Sequence, residues 1–482
     1  MNTTPSKREL RHFLKRYVPQ PPLTSTRVDS AQTTTRDRVN GVKPPKDFVN
    51  ALLTPSFHQL AVAKVKGPFQ KDEWQSVGST LVQLQKLGLG SIVVMDNAGW
   101  VVEGGSRTTE LGKTMIGESM ALVEAIEKAN GRARPIYGGV IEQDAAGAIH
   151  VNYEFIQAAL DQGQIPVVVP ILTEEGSGMQ RPARANDVMV GLTRQLAQKT
   201  DTTPTKVVVI NNEGGLPNHE RPGTAHSLVN IQEENDEIVR ALERESGWRK
   251  THPDAMENLE VTRHCLAELP TTSSAVIVPV RSLPSALIAN LVTDKPLYSS
   301  SLPLDKLHTG NPDLERVNRM RTTVVRHGTK IHTHNSLSGL DLDRLTKLLE
   351  ASFQKKLDTE AFYGRLSRVL DGAIIAGDYE GAVLVTKEQA TDATYHCYLD
   401  KFAIAPASQG VGVTDVLWKR MCDAYPELLW RSRQDNGVNK CGPMGICDSG
   451  TPTGSCFGMD MRGTKISKTT QTLPSLYPPH FR

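Results

Sequence analysis

The stretch Ala407-Ser-Gln-Gly-Val-Gly-Val-Thr414 follows an extended run and opens a helical one. The first N–H groups of a helix have no intrahelical partner, and the helix dipole draws negative charge to them. Gly410 and Gly412 let a ligand approach the backbone closely. Such a loop can cradle a pyrophosphate; it can also be an ordinary connection. Just upstream, Tyr398-Leu-Asp-Lys-Phe-Ala-Ile404 carries Lys401 between apolar neighbours. A strand lysine of this kind faces solvent or serves the loop beside it. The second cluster is Trp430-Arg-Ser-Arg-Gln-Asp-Asn-Gly-Val-Asn439. Arg431 and Arg433 are two apart on an extended segment, so they share one face. Two guanidinium forks on one face suit a carboxylate, or are a pair of exposed strand arginines. Asn436 and Asn439 are turn residues or polar ligands.

These residues need a frame. The pattern predicts helices at 341–353 and 359–370, then strands at 372–376 and 381–386 around Gly377-Asp378. A third strand, 394–404, leads through the glycine loop into a helix at 414–425. A short strand starts at 428–430. Two helices, a meander and a strand–loop–helix predict an α+β domain with a central antiparallel sheet.

Upstream the texture differs. Continuous apolar runs at 60–65, 91–95, 165–172, 206–210 and 274–280 read as buried strands. Helical periods at 73–87 and 114–129 alternate with them. This predicts an α/β domain with a mostly parallel sheet covered on both faces.

At 482 residues the chain has room for two or three domains of roughly 150 residues. Its 38% hydrophobic and 22% charged residues exclude collagen-like, fully disordered and disulfide-framework classes. No apolar run nears the roughly 20 residues of a membrane span. The six cysteines form no CxxC pair, so no structural zinc or other metal site is expected. The net charge of +2 gives no electrostatic reason to expect nucleic acid. The charge is uneven: residues 1–50 carry ten basic and four acidic side chains among many Thr, Ser and Pro. Such a start reads as a mitochondrial transit segment or as a solvated basic arm.

The block 395–440, with Tyr398-Leu-Asp-Lys-Phe-Ala-Ile-Ala-Pro-Ala-Ser-Gln-Gly-Val-Gly412 and Leu428-Leu-Trp-Arg-Ser-Arg-Gln-Asp-Asn-Gly-Val-Asn439, closely resembles the C-terminal domain of fungal and animal N-acetylglutamate synthases. The upstream region, with Tyr137-Gly-Gly-Val140, resembles their amino-acid-kinase domain. The resemblance implies a GNAT acetyltransferase domain behind a kinase-fold regulatory domain. It implies acetyl transfer from acetyl-CoA to the α-amine of L-glutamate, the first step of arginine biosynthesis. Gln409, Gly410, Val411, Gly412 and Val413 match the CoA pyrophosphate loop, and Thr414 stands where the general pattern has Gly or Ala. Phe402, Ala403 and Ile404 match the strand whose backbone pairs with the pantetheine arm. Lys401, Arg431, Arg433 and Lys355 match glutamate-binding positions. Tyr398 and Asn436 match polar residues near the reacting centre. The resemblance further implies arginine as allosteric inhibitor, a homo-oligomer, a complex with acetylglutamate kinase and a mitochondrial matrix location.

The implied domains are a basic arm at 1–47, a kinase-like domain at 48–335, a GNAT domain at 340–440 and an atypical tail at 441–482. The family continues after Val438-Asn439 with a Trp-Tyr-Phe strand whose tyrosine is the expected acid for the leaving thiolate. Here Gly442 takes that place by counting, and glycine has no proton to give. The sheet is therefore expected to lose a strand, and the Gly/Ser/Thr/Pro-rich tail to lack regular structure. The chain is then a glutamate N-acetyltransferase, a weak or inactive regulatory form of one, or an acetylglutamate kinase. Against the kinase stand Lys66 and Met95-Asp-Asn-Ala-Gly99, where a kinase of this fold has glycine-rich phosphate loops. The segment Arg326-His-Gly328 is a candidate for the arginine pocket.

Overall fold

The computed structural model describes residues 59–100, 108–144, 147–199, 202–219, 223–244, 247–282, 321–389, 395–409, 412–432 and 455–460. The chain forms two compact units. One comprises Met1–Pro217 and Gly247–Thr293; the other comprises Asn218–Ser246 and Asp294–Arg482. The described residues 223–244 and 321–335, which the sequence pattern joins to the first domain, fall within the second unit.

The first unit holds strands β1 (Gln59–Gly67), β2 (Leu89–Asn97), β3 (Ala133–Ile136), β4 (Ile141–Gln143), β5 (Ile149–Val151), β6 (Ile165–Val168), β7 (Ile171–Glu174), β8 (Gln180–Pro182) and β9 (Lys206–Asn211). Strand β10 (Leu228–Asn230) lies in the second unit, and β11 (Ser274–Pro279) in the first. Within the first unit β11, β9, β1, β2, β6 and β3 are successive neighbours, all parallel. Their Val/Ile-rich runs are buried along nearly their whole length, as both-face covering requires. Helix Lys71–Lys86 covers them with Trp74, Val77, Leu81 and Leu84. The expected parallel α/β sheet is present.

One expectation is corrected. The run 165–172 is not one strand. It divides into β6 of the parallel sheet and β7 of a second, small sheet ordered β5-β4-β7-β8. Pro170 lies at the break; proline has no N–H to give a ladder, so the chain can change sheets there.

The second unit also holds β12 (Thr323–Arg326), β13 (Ile331–His334), β14 (Leu370–Ala376), β15 (Gly381–Gln389), β16 (Tyr395–Ile404), β17 (Glu427–Ser432) and β18 (Ser455–Asp460). β10 and β12 pair in parallel. The other six form one sheet in chain order. Its pairs are antiparallel except β16–β17, where helix Val413–Ala424 makes the crossover.

Helices Leu342–Phe353 and Thr359–Val369 start where Asp341 and Asp358 accept the Arg344 and Ala361 N–H groups at 3.0 and 3.2 Å. Period-two alternation divides β14 between two cores. Ala373 and Ile375 pack with Leu345, Leu349, Phe362 and Leu366 of those helices. Ile374 and Ala376 pack with Val413, Leu417 and Met421 of the crossover helix. The sheet lies between two helices on one face and one on the other.

The tail departs from expectation at 455–460. Its backbone pairs antiparallel with β17, from Glu427↔Asp460 to Ser432↔Ser455. Ladder pairing needs main-chain groups more than side-chain pattern, so a segment without clear alternation still adds a strand.

Candidate functional site

Among the described residues, most candidates of the second unit gather where β16 ends and helix Val413–Ala424 begins. β16 pairs with β15 along its length, but the register shifts between Leu384↔Lys401 and Val385↔Leu399. Asp400 is the extra residue of this bulge. A bulge re-aims neighbouring side chains and bends the strand. Here it brings Asp400 and Lys401 into one ionic cluster. Lys401 Nζ donates to Asp400 Oδ2 at 2.8 Å. Arg365, from helix Thr359–Val369, donates to the other Asp400 oxygen and to Glu388 Oε1, the latter at 2.8 Å. Lys401 Nζ also lies 5.3 Å from the centre of the Phe362 ring. Two cations and two carboxylates are thus matched in a mostly buried quartet.

On its other edge β16 meets β17 only at Tyr398↔Leu429 and Leu399↔Trp430. Among the described residues, β16 beyond Leu399, with Phe402, Ala403 and Ile404, has no ladder partner on β17. The Ile404 N–H donates to Ser352 Oγ at 3.2 Å. A sheet edge that opens in this way accepts an extended chain with amide groups of its own. The edge leads directly to the helix start. Gly412 is the N-cap, in the left-handed region at φ 92, and offers no side-chain cap to the first turn. A Cβ on Gly412 would come within 3.0 Å of Arg326 Nε and 3.1 Å of Arg326 Cδ.

The sequence candidates fall as follows. Ala403, Ile404 and Val413 are buried, Gln409 is half-buried and Thr414 is exposed. Phe402 packs against Trp418 of the crossover helix, ring centres 6.0 Å apart. Tyr398 is half-buried, its carbonyl accepting from Thr386 Oγ1 at 3.4 Å. Lys355 is exposed, one residue beyond Gln354, which ends helix Leu342–Phe353 in the left-handed region. Arg431 lies on β17 opposite Cys456, and only its backbone is described. Gly410, Val411, Arg433, Asn436, Asn439 and Gly442 lie outside the described residues. The structure thus brings Tyr398, Lys401, Phe402, Ala403, Ile404 and the 412–414 helix start into one strand–loop–helix. Sequence reading missed Asp400, Arg365, Glu388 and Ser352. The adjacent Asp400-Lys401 pair was the available signal, since neighbours on a regular strand face opposite ways.

Arg326, an arginine-pocket candidate by sequence, packs against Gly412. Its neighbour His327 shares a 3.2 Å contact with Gln232 at the surface.

The first unit has a separate charged cluster. Lys66 Nζ lies 2.9 Å from Asp254, 3.8 Å from Asp96 and 3.9 Å from Glu257. Burial works against the Lys66 charge, but Asp96 and Asp254 outweigh it and hold its pKa up. Fully buried Lys64 donates to Asn186 Oδ1 at 2.7 Å and Asn258 Oδ1 at 3.1 Å, and burial pushes its pKa down. Burial, reinforced by Asp254, raises Glu213 to about 7. The carboxylates are thus engaged by tethered ammonium groups. Among the described residues, no group of three His, Cys, Asp or Glu side chains is placed to hold a metal ion.

A family model described as the N-acetyltransferase of N-acetylglutamate synthase matches residues 332–441. The mitochondrial amino-acid acetyltransferase of Coprinopsis cinerea is 34% identical over 480 residues, spanning 88% of this chain and 75% of that protein. That of Laccaria bicolor is 34% identical over 496 residues, spanning 91% and 87%. Among solved structures, aspartate kinase from Synechocystis shares 11% identity with a TM-score of 0.36, covering 76% of this chain and 55% of that one, a likeness too slight to bear on activity.

Proposed function

The chain belongs to the amino-acid acetyltransferase family, and on that premise we propose that it transfers the acetyl group of acetyl-CoA to the α-amine of L-glutamate. The observation that carries the reading is the open β16 edge running into a helix capped by left-handed Gly412. It fits acetyl-CoA. The amides of the pantetheine arm can add to the edge at Phe402, Ala403 and Ile404, the Ile404 N–H exchanging its Ser352 partner for the ligand. The pyrophosphate can meet the helix start at Gln409, Gly410, Val411, Gly412, Val413 and Thr414, where a side chain at 412 would intrude.

The neutral amine of glutamate attacks the thioester carbonyl. Backbone N–H groups at the bulged strand stabilise the oxyanion. The amine proton leaves through water, and a proton must reach the departing thiolate. Tyr398 and Asn436 are assigned to the reacting centre. Lys355, Lys401, Arg431 and Arg433 are assigned to the glutamate carboxylates. Lys401 already shares its charge with Asp400, so it serves a substrate carboxylate within the quartet rather than as an isolated cation. With Gly442 in place of the family's tyrosine, turnover is reduced about 10²- to 10⁴-fold, the usual worth of a general acid.

The first unit is read as an amino-acid-kinase-like regulatory domain within 48–335, taking arginine as inhibitor. Its Lys66–Asp254 pair and surrounding carboxylates oppose binding of nucleotide phosphates, which disfavours the kinase reading. A homo-oligomer, a complex with acetylglutamate kinase and a matrix location, with the basic 1–47 arm read as a transit segment or a flexible arm, complete the proposal. The relatives are named mitochondrial.

The test is release of free CoA from acetyl-CoA with single amino acids as acceptors. Glutamate should exceed glutamine and aspartate by at least tenfold. Equal release with glutamine would contradict a site built for two carboxylates.

A further inference from the structure

Resting on the acetyl-CoA reading, we propose that Ser352 competes with the pantetheine arm for the Ile404 N–H, and so lowers the affinity for CoA and speeds its release. Ser352 stands in the last turn of helix Leu342–Phe353 and is half-buried. Ile404 ends β16 and is 7% exposed. The Ile404 N–H donates to Ser352 Oγ at 3.2 Å, across 52 positions of chain.

Successive N–H groups along an extended chain point to opposite edges. The Ala405 N–H donates to the Glu380 carbonyl at 2.8 Å, on the β15 side. The Ile404 N–H therefore points to the other edge. Among the described residues, that edge has no ladder partner on β17 beyond Leu399. A ligand amide that extends the sheet there needs this N–H, because strand addition works through the edge-facing main-chain groups. Ser352 and the pantetheine carbonyl thus want the same hydrogen.

The contact can be released without unseating the helix. Leu345, Leu348 and Leu349 hold it in the core with Phe362 and Ala403. The helix ends one residue after Ser352, and Gln354 turns away in the left-handed region at φ 56. What Ser352 supplies is one acceptor for a buried N–H. Without the hydroxyl, that N–H is left unpaired until a ligand carbonyl reaches it, and the ligand then gains the whole of the bond. With the hydroxyl, the ligand gains only the difference between two similar bonds. The serine therefore weakens the hold on the pantetheine arm. Product must leave at every turnover, and release is a step that limits many enzymes.

The experiment is calorimetric titration of CoA, and of adenosine 3′,5′-bisphosphate, which lacks the pantetheine arm, into the full chain, Ser352→Ala and Ser352→Thr. CoA should bind Ser352→Ala about 2- to 10-fold more tightly, the worth of one neutral hydrogen bond. Stopped-flow release of CoA should slow by the same factor. Ser352→Thr keeps the hydroxyl and should match the unaltered chain. The bisphosphate should bind all three alike. Unchanged CoA affinity in Ser352→Ala would reduce Ser352 to a staple between helix and strand and overturn the proposal. Weaker CoA binding would make Ser352 a direct ligand contact and also overturn it. An equal gain for the bisphosphate would place the effect away from the pantetheine edge, with the same consequence. Absence of CoA binding by the unaltered chain would sink the acetyl-CoA reading itself. A second measurement needs no variant. Hydrogen exchange across residues 349–353 should quicken when CoA is added to the unaltered chain, because the last helical turn loses its tie to β16. Slower or unchanged exchange there would contradict the proposal.

Discussion

At the scale of single residues, the quartet around Asp400 sets how Lys401 is presented. Asp400 is held on one oxygen by Arg365 and on the other by Lys401. Replacing Arg365 by methionine removes partners from both Asp400 and Glu388. Breaking a buried pair costs about 3–5 kcal/mol, and the low end applies because Lys401 still neutralises Asp400. We predict a loss of about 3 kcal/mol in urea unfolding and a raised KM for glutamate with the KM for acetyl-CoA unchanged. A variant as stable as the parent would show that the bulge holds itself. Gly412→Ala should also be costly. A non-glycine residue in the left-handed region costs roughly 1–2 kcal/mol, and its Cβ would press on Arg326. Thermal unfolding and CoA titration should both register it; an unaffected affinity would contradict the cradle. Little of this was legible beforehand. Lys401 stood out by type, but a bulge is a property of two strands in register. Arg365 and Glu388 are 35 and 12 positions from Asp400 and carry no local signal. Nor does Arg326 announce Gly412.

At the scale of elements, the second unit was the most readable. Asp341 and Asp358 cap the two helices, and the Gly377-Asp378 turn separates β14 from β15. Local chemistry therefore set those boundaries to within two residues. Continuous apolar runs marked β1, β2, β9 and β11 for the same reason. The run 165–172 misled because periodicity cannot show a change of sheet at a proline. The tail misled because pairing of 455–460 with β17 depends on an available edge rather than on sequence pattern. That edge has a consequence. Ending the chain at residue 440 should expose β17 and promote self-association, since an unpaired edge is a template for another chain. Light scattering should show larger species for the truncated chain. An unchanged monodisperse state would mean that β18 adds nothing to the edge.

At the scale of the whole molecule, one buried group in each compact unit responds to pH, and the two respond in opposite senses. Glu213, in the first unit, titrates near 7 when folded because burial and Asp254 disfavour its charge. Its unfolded value is about 4.5, so the folded state keeps a proton that the unfolded state has lost. Stability from this group therefore falls as pH rises from about 4.5 to 7. His226, in the second unit, is pushed down to about 3, first by burial and then by Lys419. The unfolded chain takes up this proton near 6.5, so stability falls as pH drops from there toward 3. Glu213→Gln should stabilise the chain more at pH 7.5 than at pH 4.5, measured by urea unfolding at both. An equal effect at both would contradict the assignment. The division into units was partly readable from the change of texture near residue 340. The inclusion of 218–246 in the second unit was not, because it follows from packing between chain-distant segments. The central claim concerns the chemistry of that second unit. Its most direct test is mass-spectrometric detection of acetylglutamate from glutamate and acetyl-CoA, using this chain and one carrying the family's Trp-Tyr-Phe ending from residue 441. Product should form with both, about 10²- to 10⁴-fold faster with the restored ending. No acetylglutamate from either chain would contradict the account.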